Sequence, residues 1–318
     1  MKALGRFWWI IVLAFIAFYP PTLGGMSAYK SGILIFVGIY IILAVSLDLL
    51  IGFAGQISVG HAAFFAIGAY VSGILTARYG ASPVVALIAG MALSGAVAWV
   101  VGRPVLALKE YYLAMATLAL NEIVVTLIIG LQWLTGGASG LRDVPAFSVP
   151  GFTFDNHVHY YYFVWAIVVL VVASTLAVTR SPFGRTLIAI HSDETAAKTF
   201  GIDCAGYKLR VYVLSALYAS LAGSLFAHYM GFLAPDDFGV MTSINILVML
   251  YLGGIGTIYG PLLGAVFLKV LPEVTYQFQD YELLMNGIIL IIVLVFMPKG
   301  LFGILAGIKD RLFARGAQ

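Results

Sequence analysis

The sequence predicts an all-α integral membrane protein of about ten transmembrane helices, and three observations carry that expectation. The chain of 318 residues is 62% apolar and only 10% charged, whereas a soluble domain dresses its surface with about 25% charged residues. Its mean hydropathy is +1.03, and its apolar residues come as one run after another of about 20, the length that a helix needs to cross a bilayer core. The basic residues fall almost wholly on one side of those runs. Nothing is left over for a soluble catalytic domain, so residues 1–318 read as a single transmembrane domain.

The first apolar run covers residues 7–22, after Lys2 and Arg6. A basic start and a short apolar core also mark signal peptides. Here the run ends in Tyr19, Pro20 and Pro21 with no small-x-small cleavage site, so it counts as the first helix. The later runs lie near residues 32–52, 57–77, 83–102, 112–131, 160–178, 211–233, 240–252, 258–271 and 283–301. Two of these, on either side of Gly253 and Gly254, are short for a full span and read as a bent pair or as partly re-entrant segments.

With the amino terminus inside, thirteen of the 17 basic residues fall on inner segments: Lys2, Arg6, Arg103, Lys109, Arg180, Arg185, Lys198, Lys208, Arg210, Lys299, Lys309, Arg311 and Arg315. Lys30, Arg78 and Arg142 fall outside, and Lys269 lies within a span. This is the asymmetry of the positive-inside rule, and it places both termini in the cytoplasm. The net charge of +3 is small, and no nucleic-acid partner is expected. The single cysteine, Cys204, rules out an internal disulfide or a multi-cysteine metal site, and no metal is expected.

Two connections exceed simple turns. Residues 132–159 form the longest outer loop, rich in Gly, Ser and Pro, with Trp133 and Tyr160 to Tyr162 as interfacial anchors. Residues 179–210 form the longest inner loop, and unlike the outer one it reads as folded. Pro182 suits a helix start, and a short helix over 185–191 follows; Ser192 or Asp193 can cap a second. Gly201 stands where a left-handed residue ends a helix, with Ile202 placed for the accompanying apolar contact. No internal repeat is evident.

The densest motif runs from Gly52 to Tyr70 and reads GFAGQISVGHAAFFAIGAY. Gly52, Gly55 and Gly60 beside Gln56, Ser58 and His61 make poor helix interior. In lipid, a backbone break survives only where protein or a wet cavity satisfies the freed groups, and transporters put such breaks at their pathways. The competing reading is that the glycines end one helix and that Gly60, Ala62, Ala66, Ala69 and Gly73 make a close-packing face. Gly256, Gly260 and Gly264 recur every four residues, which predicts one small-residue helix face.

Polar groups within spans are functional candidates by default. Here they are Asp48, His61, Asn121, Glu122, His228, Asn245, Lys269 and Asn286, with Glu122, at mid-helix, read as pathway or structural glue. The translocation pathway is assigned to Gln56, Ser58, Gly60, His61, Asn121 and Glu122. Residues 137–140 match the Gly-x-Ser-Gly of membrane serine proteases, but a loop sequence follows in place of a helix. No Walker sequence is present.

Together these residues resemble a family. The run from Gly52 to Tyr70 is similar to the signature of permeases of ABC importers for branched-chain amino acids, in particular their LivM-like subunits. Four further segments agree in order: 112–122, 134–141, 181–203 and 252–264, and the likeness extends from about residue 35 to residue 303. The resemblance implies a type II-like permease bundle of the bacterial inner membrane. It implies a second, LivH-like permease, two cytoplasmic ATP-binding subunits and a periplasmic substrate-binding protein as partners. ATP would be bound by those subunits, with no cofactor in this chain. Residues 179–210 would be the segment that docks on the ATPase, with Gly184, Arg185, Asp193, Glu194, Ala197 and Gly201 as its coupling positions. Two positions depart from the family's usual pattern: His191 where Arg is common, and Asp48 where Asn is common. The alternative is a stand-alone secondary carrier of small polar solutes, which would concentrate carboxylates near the midplane.

The charge pattern yields a topology that reporter fusions can check. Fusions after Arg142 and Asp237 are expected to read external, and fusions after Lys198 and Arg315 cytoplasmic. A cytoplasmic signal from the 132–159 loop would reverse the orientation.

Overall fold

The computed structural model describes residues 28–108, 110–149 and 151–274, with a few single positions between 284 and 303. The apolar runs at 7–22 and 283–301, and Asn286, lie outside the described residues except at those single positions. The described chain is built from helices α1 (Ala28–Asp48), α2 (Ala62–Ala77), α3 (Pro83–Val105), α4 (Glu110–Gly130), α5 (His157–Arg180), α6 (Pro182–Ser192), α7 (Glu194–Thr199), α8 (Cys204–Met230), α9 (Val240–Gly253) and α10 (Tyr259–Val274). Five stretches among them are long and apolar enough to cross a membrane: Ser31–Phe53, Pro83–Val105, Tyr111–Gly130, His157–Arg180 and Cys204–Met230. Ala62–Ala77, Val240–Gly253 and Tyr259–Leu271 are apolar but shorter.

Helices α1, α2 and α8 form the centre. Helix α1 is almost wholly enclosed from Ile35 onward, and α8 buries most of its residues from Val211 to His228. A surface helix shows an apolar stripe and a polar face. These two instead are apolar nearly all round, as central helices must be.

Glycine makes the contact between α2 and α8 possible. A side chain at Gly68 would overlap the backbone of Ser220, and one at Gly223 would overlap the carbonyl of Phe65. The two backbones therefore touch directly, the small-residue association that operates where lipid is as apolar as the helix surface. The same device closes the α9–α10 pair: side chains at Gly253 and Gly264 would collide with Gly260 and Met249 respectively. The two short runs are thus a bent helix pair. Gly256 does not share that face. It sits in the turn before α10 with φ 71, so only Gly260 and Gly264 of the predicted trio lie on the helix.

The outer loop, expected to be irregular, is folded. After a single helical turn at Gln132–Thr135 it pairs Leu141 with Leu233 and forms a two-stranded hairpin, Ser148–Val149 with Phe152–Thr153. Its anchor is His228. The Ser224 hydroxyl donates to Ser72 at 2.7 Å, and Ser72 lies 2.9 Å from His228 Nε2. His228 Nδ1–H then donates to the Pro145 carbonyl at 2.8 Å, which fixes the tautomer. His228 is a tie between helix and loop.

Placing a valine at Gly68 is expected to force α2 from α8 and to destabilise the protein by about 1–3 kcal/mol. Gly130→Ala, where an added methyl meets nothing within 4 Å, is the control for thermal unfolding in detergent. Equal stability of the two variants would refute the backbone contact.

Candidate functional site

Helix α1 does not stop cleanly at Asp48. It widens into a π-helical turn, Leu49–Phe53, and the chain then runs without helix until His61. Such π turns are uncommon and recur at functional positions. Gly55, at φ 66, makes the bend.

Every freed amide on this stretch needs a partner, because burial without one costs several kcal/mol. One partner is local and two are distant in sequence. Gln56 N–H donates back to Leu50 O at 2.8 Å, Val59 N–H to Thr117 Oγ1 at 3.1 Å, and Ala62 N–H to Ser243 Oγ at 3.0 Å. Gly60 lies so close to α4 that any side chain would overlap the Thr117 carbonyl. The break is therefore held by α4 and α9 together.

His61 is fully enclosed, with Nε2 2.6 Å from Ser46 Oγ. The Ser46 hydroxyl proton goes to Leu43 O, so the contact is made by the Nε2–H tautomer. Nδ1 is left as a bare acceptor without a partner among the described residues. Ser215 Oγ donates to Ser46 O at 2.6 Å and joins α8 to the network. Gln56 and Ser58 are buried beside it.

A second break faces the first. Between α8 and α9 the chain turns at Gly231 (φ 70), and a short 3-10 turn at Pro235–Phe238 follows. Residues 234–239 read in the sequence as an outer connection. In the structure Leu233 and Phe238 are fully enclosed, with the Phe238 ring against Phe65, Tyr70 and Phe226. Asn121 Nδ2 donates to Phe238 O at 3.3 Å, and its Oδ1 has no partner among the described residues. Asn121 thus braces the second break, whereas Gln56, Ser58, Gly60 and His61 belong to the first.

Glu122 is elsewhere. Its side chain is exposed on the outward face of α4, with Tyr111, Tyr112, Met115 and Ile123, so it does not act as glue among the described residues. Asn245 is likewise exposed, on α9. Lys269 places Nζ 3.6 Å from the centre of the Tyr40 ring, a cation–π contact. Asp48 is buried, and its Oδ1 accepts from Gly256 N–H at 2.8 Å, tying the end of α1 to the α9–α10 turn. Sequence singled out Asp48 and Gly256 separately; nothing in it signalled the bond.

The inner segment has the structure its local signals predict. Ser181 caps α6, accepting from Gly184 N–H, and Pro182 opens the helix. Gly184 fits only because a side chain there would overlap the end of α5 at Thr179. Asp193 Oδ1 caps α7, accepting from Thr195 N–H at 2.8 Å and Ala196 N–H at 3.0 Å. At its other end Gly201 N–H donates to Lys198 O and Ile202 N–H to Ala197 O, with Gly201 at φ 78. That bond pair is the Schellman motif. Ala197 packs with Ile190 and Cys204 in a small core of their own. Arg185 is exposed.

One ion pair ties this unit to the bundle. Lys208 Nζ, largely buried at the start of α8, lies 2.6 Å from Glu194 Oε2, and Lys198 reaches Oε1 at 3.0 Å. The hydrogen bond from Lys208 holds the Glu194 carboxyl below the usual carboxylate range. A depressed folded-state pKa stabilises above the unfolded value and loses its effect as pH falls through the folded one. The stability difference between the wild type and Glu194→Gln is therefore expected to be constant near neutrality and to shrink below about pH 4. Thermal unfolding across that range checks it; a difference that grows on acidification would remove the tether.

The family profile described as "Branched-chain amino acid transport system / permease component" matches residues 29–294. The chain is 32% identical to the high-affinity branched-chain amino acid transport system permease protein LivM of Salmonella typhimurium, covering 83% of this chain and 67% of that protein. Identity to the LivM protein of Escherichia coli is 33% over the same shares. The LivH permease of Salmonella typhimurium is 24% identical over 83% of this chain and 91% of its own. No solved structure matches. The matched range of the profile spans both breaks and the inner segment, and the chain belongs to the permease component family of branched-chain amino acid transport systems.

Proposed function

We propose that the chain is one permease subunit of an ABC importer that moves branched-chain or related amino acids across the bacterial inner membrane. The observation that carries this reading is the inner segment. Two short helices, closed at both ends by side-chain or backbone caps, present Arg185, Ile188 and Phe200 outward. Phe200 is 85% exposed and Ile188 47%, so the unit offers apolar as well as basic groups outward. A stiff unit with apolar and basic contacts suits a soluble partner that pushes on it, since a floppy loop would absorb the motion.

That partner is a pair of ATP-binding subunits, and this chain contributes neither a nucleotide site nor a catalytic centre. The outward face of α4 supports the second, LivH-like permease as neighbour. A carboxylate at mid-helix costs about 2.5–3.5 kcal/mol or more in lipid, so the Glu122 face is covered by protein or by a hydrated path between the subunits. A periplasmic binding protein delivers the substrate to the opposite end. With the runs at 7–22 and 283–301 the bundle has about ten helices, and both termini are cytoplasmic.

The assembled complex in proteoliposomes tests this directly. ATP-dependent uptake of labelled leucine is expected, falling about tenfold or more in Gly201→Val, where a β-branched residue at positive φ costs 1–3 kcal/mol of strain, and in Arg185→Glu. Binding-protein docking should persist in both. Uptake that survives removal of the ATP-binding subunits would instead establish a stand-alone carrier.

A further inference from the structure

His191 lies in the last turn of α6, yet its ring reaches away from the inner segment. Nδ1 lies 3.1 Å from the carbonyl oxygen of Gly52, inside the π-helical turn, and donates to it. The same ring covers Gly55: a side chain there would meet His191 Cδ2 at 2.6 Å and Cγ at 3.0 Å. Both glycines flank the start of the first break. On its other side Gly52 leaves no room either, since a side chain would overlap the Asp48 carboxylate and the Gly256 amide. Asp48 in turn accepts from Gly256 N–H. Four elements thus meet at one point: α6, the π turn, the end of α1, and the α9–α10 turn.

We propose that His191 is the positioning residue through which the inner segment moves the first break, with Asp48 passing the same displacement to the α9–α10 pair. This rests on the reading that residues 179–210 receive the stroke of the ATP-binding subunits. The physical case is one of stiffness. Between the amphipathic α6 and the break, the hydrogen bond to Gly52 and the ring contact at Gly55 leave no slack for α6 to shift alone. The π turn is the compliant element, because its i→i+5 bonding sits one residue away from ordinary α-helix. Releasing or tightening the Gly52 carbonyl biases that turn. Asp48 needs only an acceptor oxygen for its part, so Asn serves there and Leu does not. Gln at position 191 likewise retains a donor, and Leu does not.

The test needs no knowledge of the substrate. Ile57 is 37% exposed and borders a groove of about 1000 Å³ shared with Gln56, Arg103, Glu194 and Lys208. A cysteine at Ile57, in the complete complex and with the buried Cys204 changed to Ser, reports on the break through its rate of reaction with a water-soluble thiol reagent. The rate is measured without nucleotide and with ATP plus vanadate. A nucleotide-dependent rate change is expected in the parent. His191→Leu is expected to shrink it by about two- to tenfold, the factor carried by one net hydrogen bond, and His191→Gln to restore it. Asp48→Leu should weaken it and Asp48→Asn should not. A full nucleotide effect in His191→Leu, alongside its loss in Arg185→Glu, would overturn the role of His191 and leave the docking segment intact. A full effect in Arg185→Glu as well would bring down the docking assignment itself. A parent whose rate ignores nucleotide would show that the break does not move with the ATP cycle, and would also end the proposal.

Discussion

An amide or carbonyl in an apolar interior must find a partner, and the architecture is organised around the two places where helix cannot supply one. At the first break the chain leaves α1 through a π turn, and its amides are taken up by Leu50, Thr117 and Ser243. At the second, Leu141 and Leu233 exchange backbone hydrogen bonds and Asn121 holds Phe238 O. Both stretches combine local turn bonds with partners far along the chain. Helices α2, α4 and α9 are consequently held in fixed relation, and two of the three short apolar helices, α2 and α9, begin where a break ends. Non-helical backbone inside a bundle is tolerated where it is buried in protein or borders a wet cavity, and the first break does both: His61 is enclosed, while Ile57 faces the groove.

Close approach is the second theme, and it follows from the first. The partner groups that satisfy the breaks must come within hydrogen-bond distance, which a Cβ would prevent at Gly60 beside Thr117 and at Gly52 beside Gly256. Glycine at these points exchanges helix propensity for proximity. Regular spacing alone did not identify such positions. The four-residue interval of Gly256, Gly260 and Gly264 suggested one helix face, but Gly256 serves the turn and donates its amide to Asp48. Gly68 and Gly223, which bring the two central helices together, belong to no equally visible pattern.

The inner segment is built on another principle. It carries its own caps, its own small core at Ile190, Ala197 and Cys204, and one partly buried ion pair to α8. It joins the bundle at the α5–α6 corner, through Leu187 in the main core, the stacked Phe183 and Tyr207 rings, the Glu194–Lys208 pair and the His191–Gly52 contact. Whatever moves this unit acts on the bundle through those contacts, and the one at Gly52 falls on the least regular part of α1.

Composition, run length and the one-sided basic residues by themselves determined the membrane class, because solvation by lipid is a property of whole segments and needs no knowledge of partners. The start of α6 at Pro182 and the caps of α7 were equally legible. Asp193 and Gly201 act on amides and carbonyls within five residues of themselves, so the signal and its effect share one stretch of chain. The break at Gln56–His61 was visible as an incompatibility with helix, and the run from Gly52 to Tyr70 carried the family resemblance. Only tertiary structure decided who satisfies that break, that Asp48 meets Gly256, that Glu122 faces outward while its neighbour Asn121 faces in, and that Pro235 and Phe238 are buried while Asp236 stays exposed. Those outcomes join residues as much as 208 positions apart. Periodicity records which face of a helix is apolar, but the partner of a buried polar group is chosen by the packing of the whole bundle, and no local pattern encodes it.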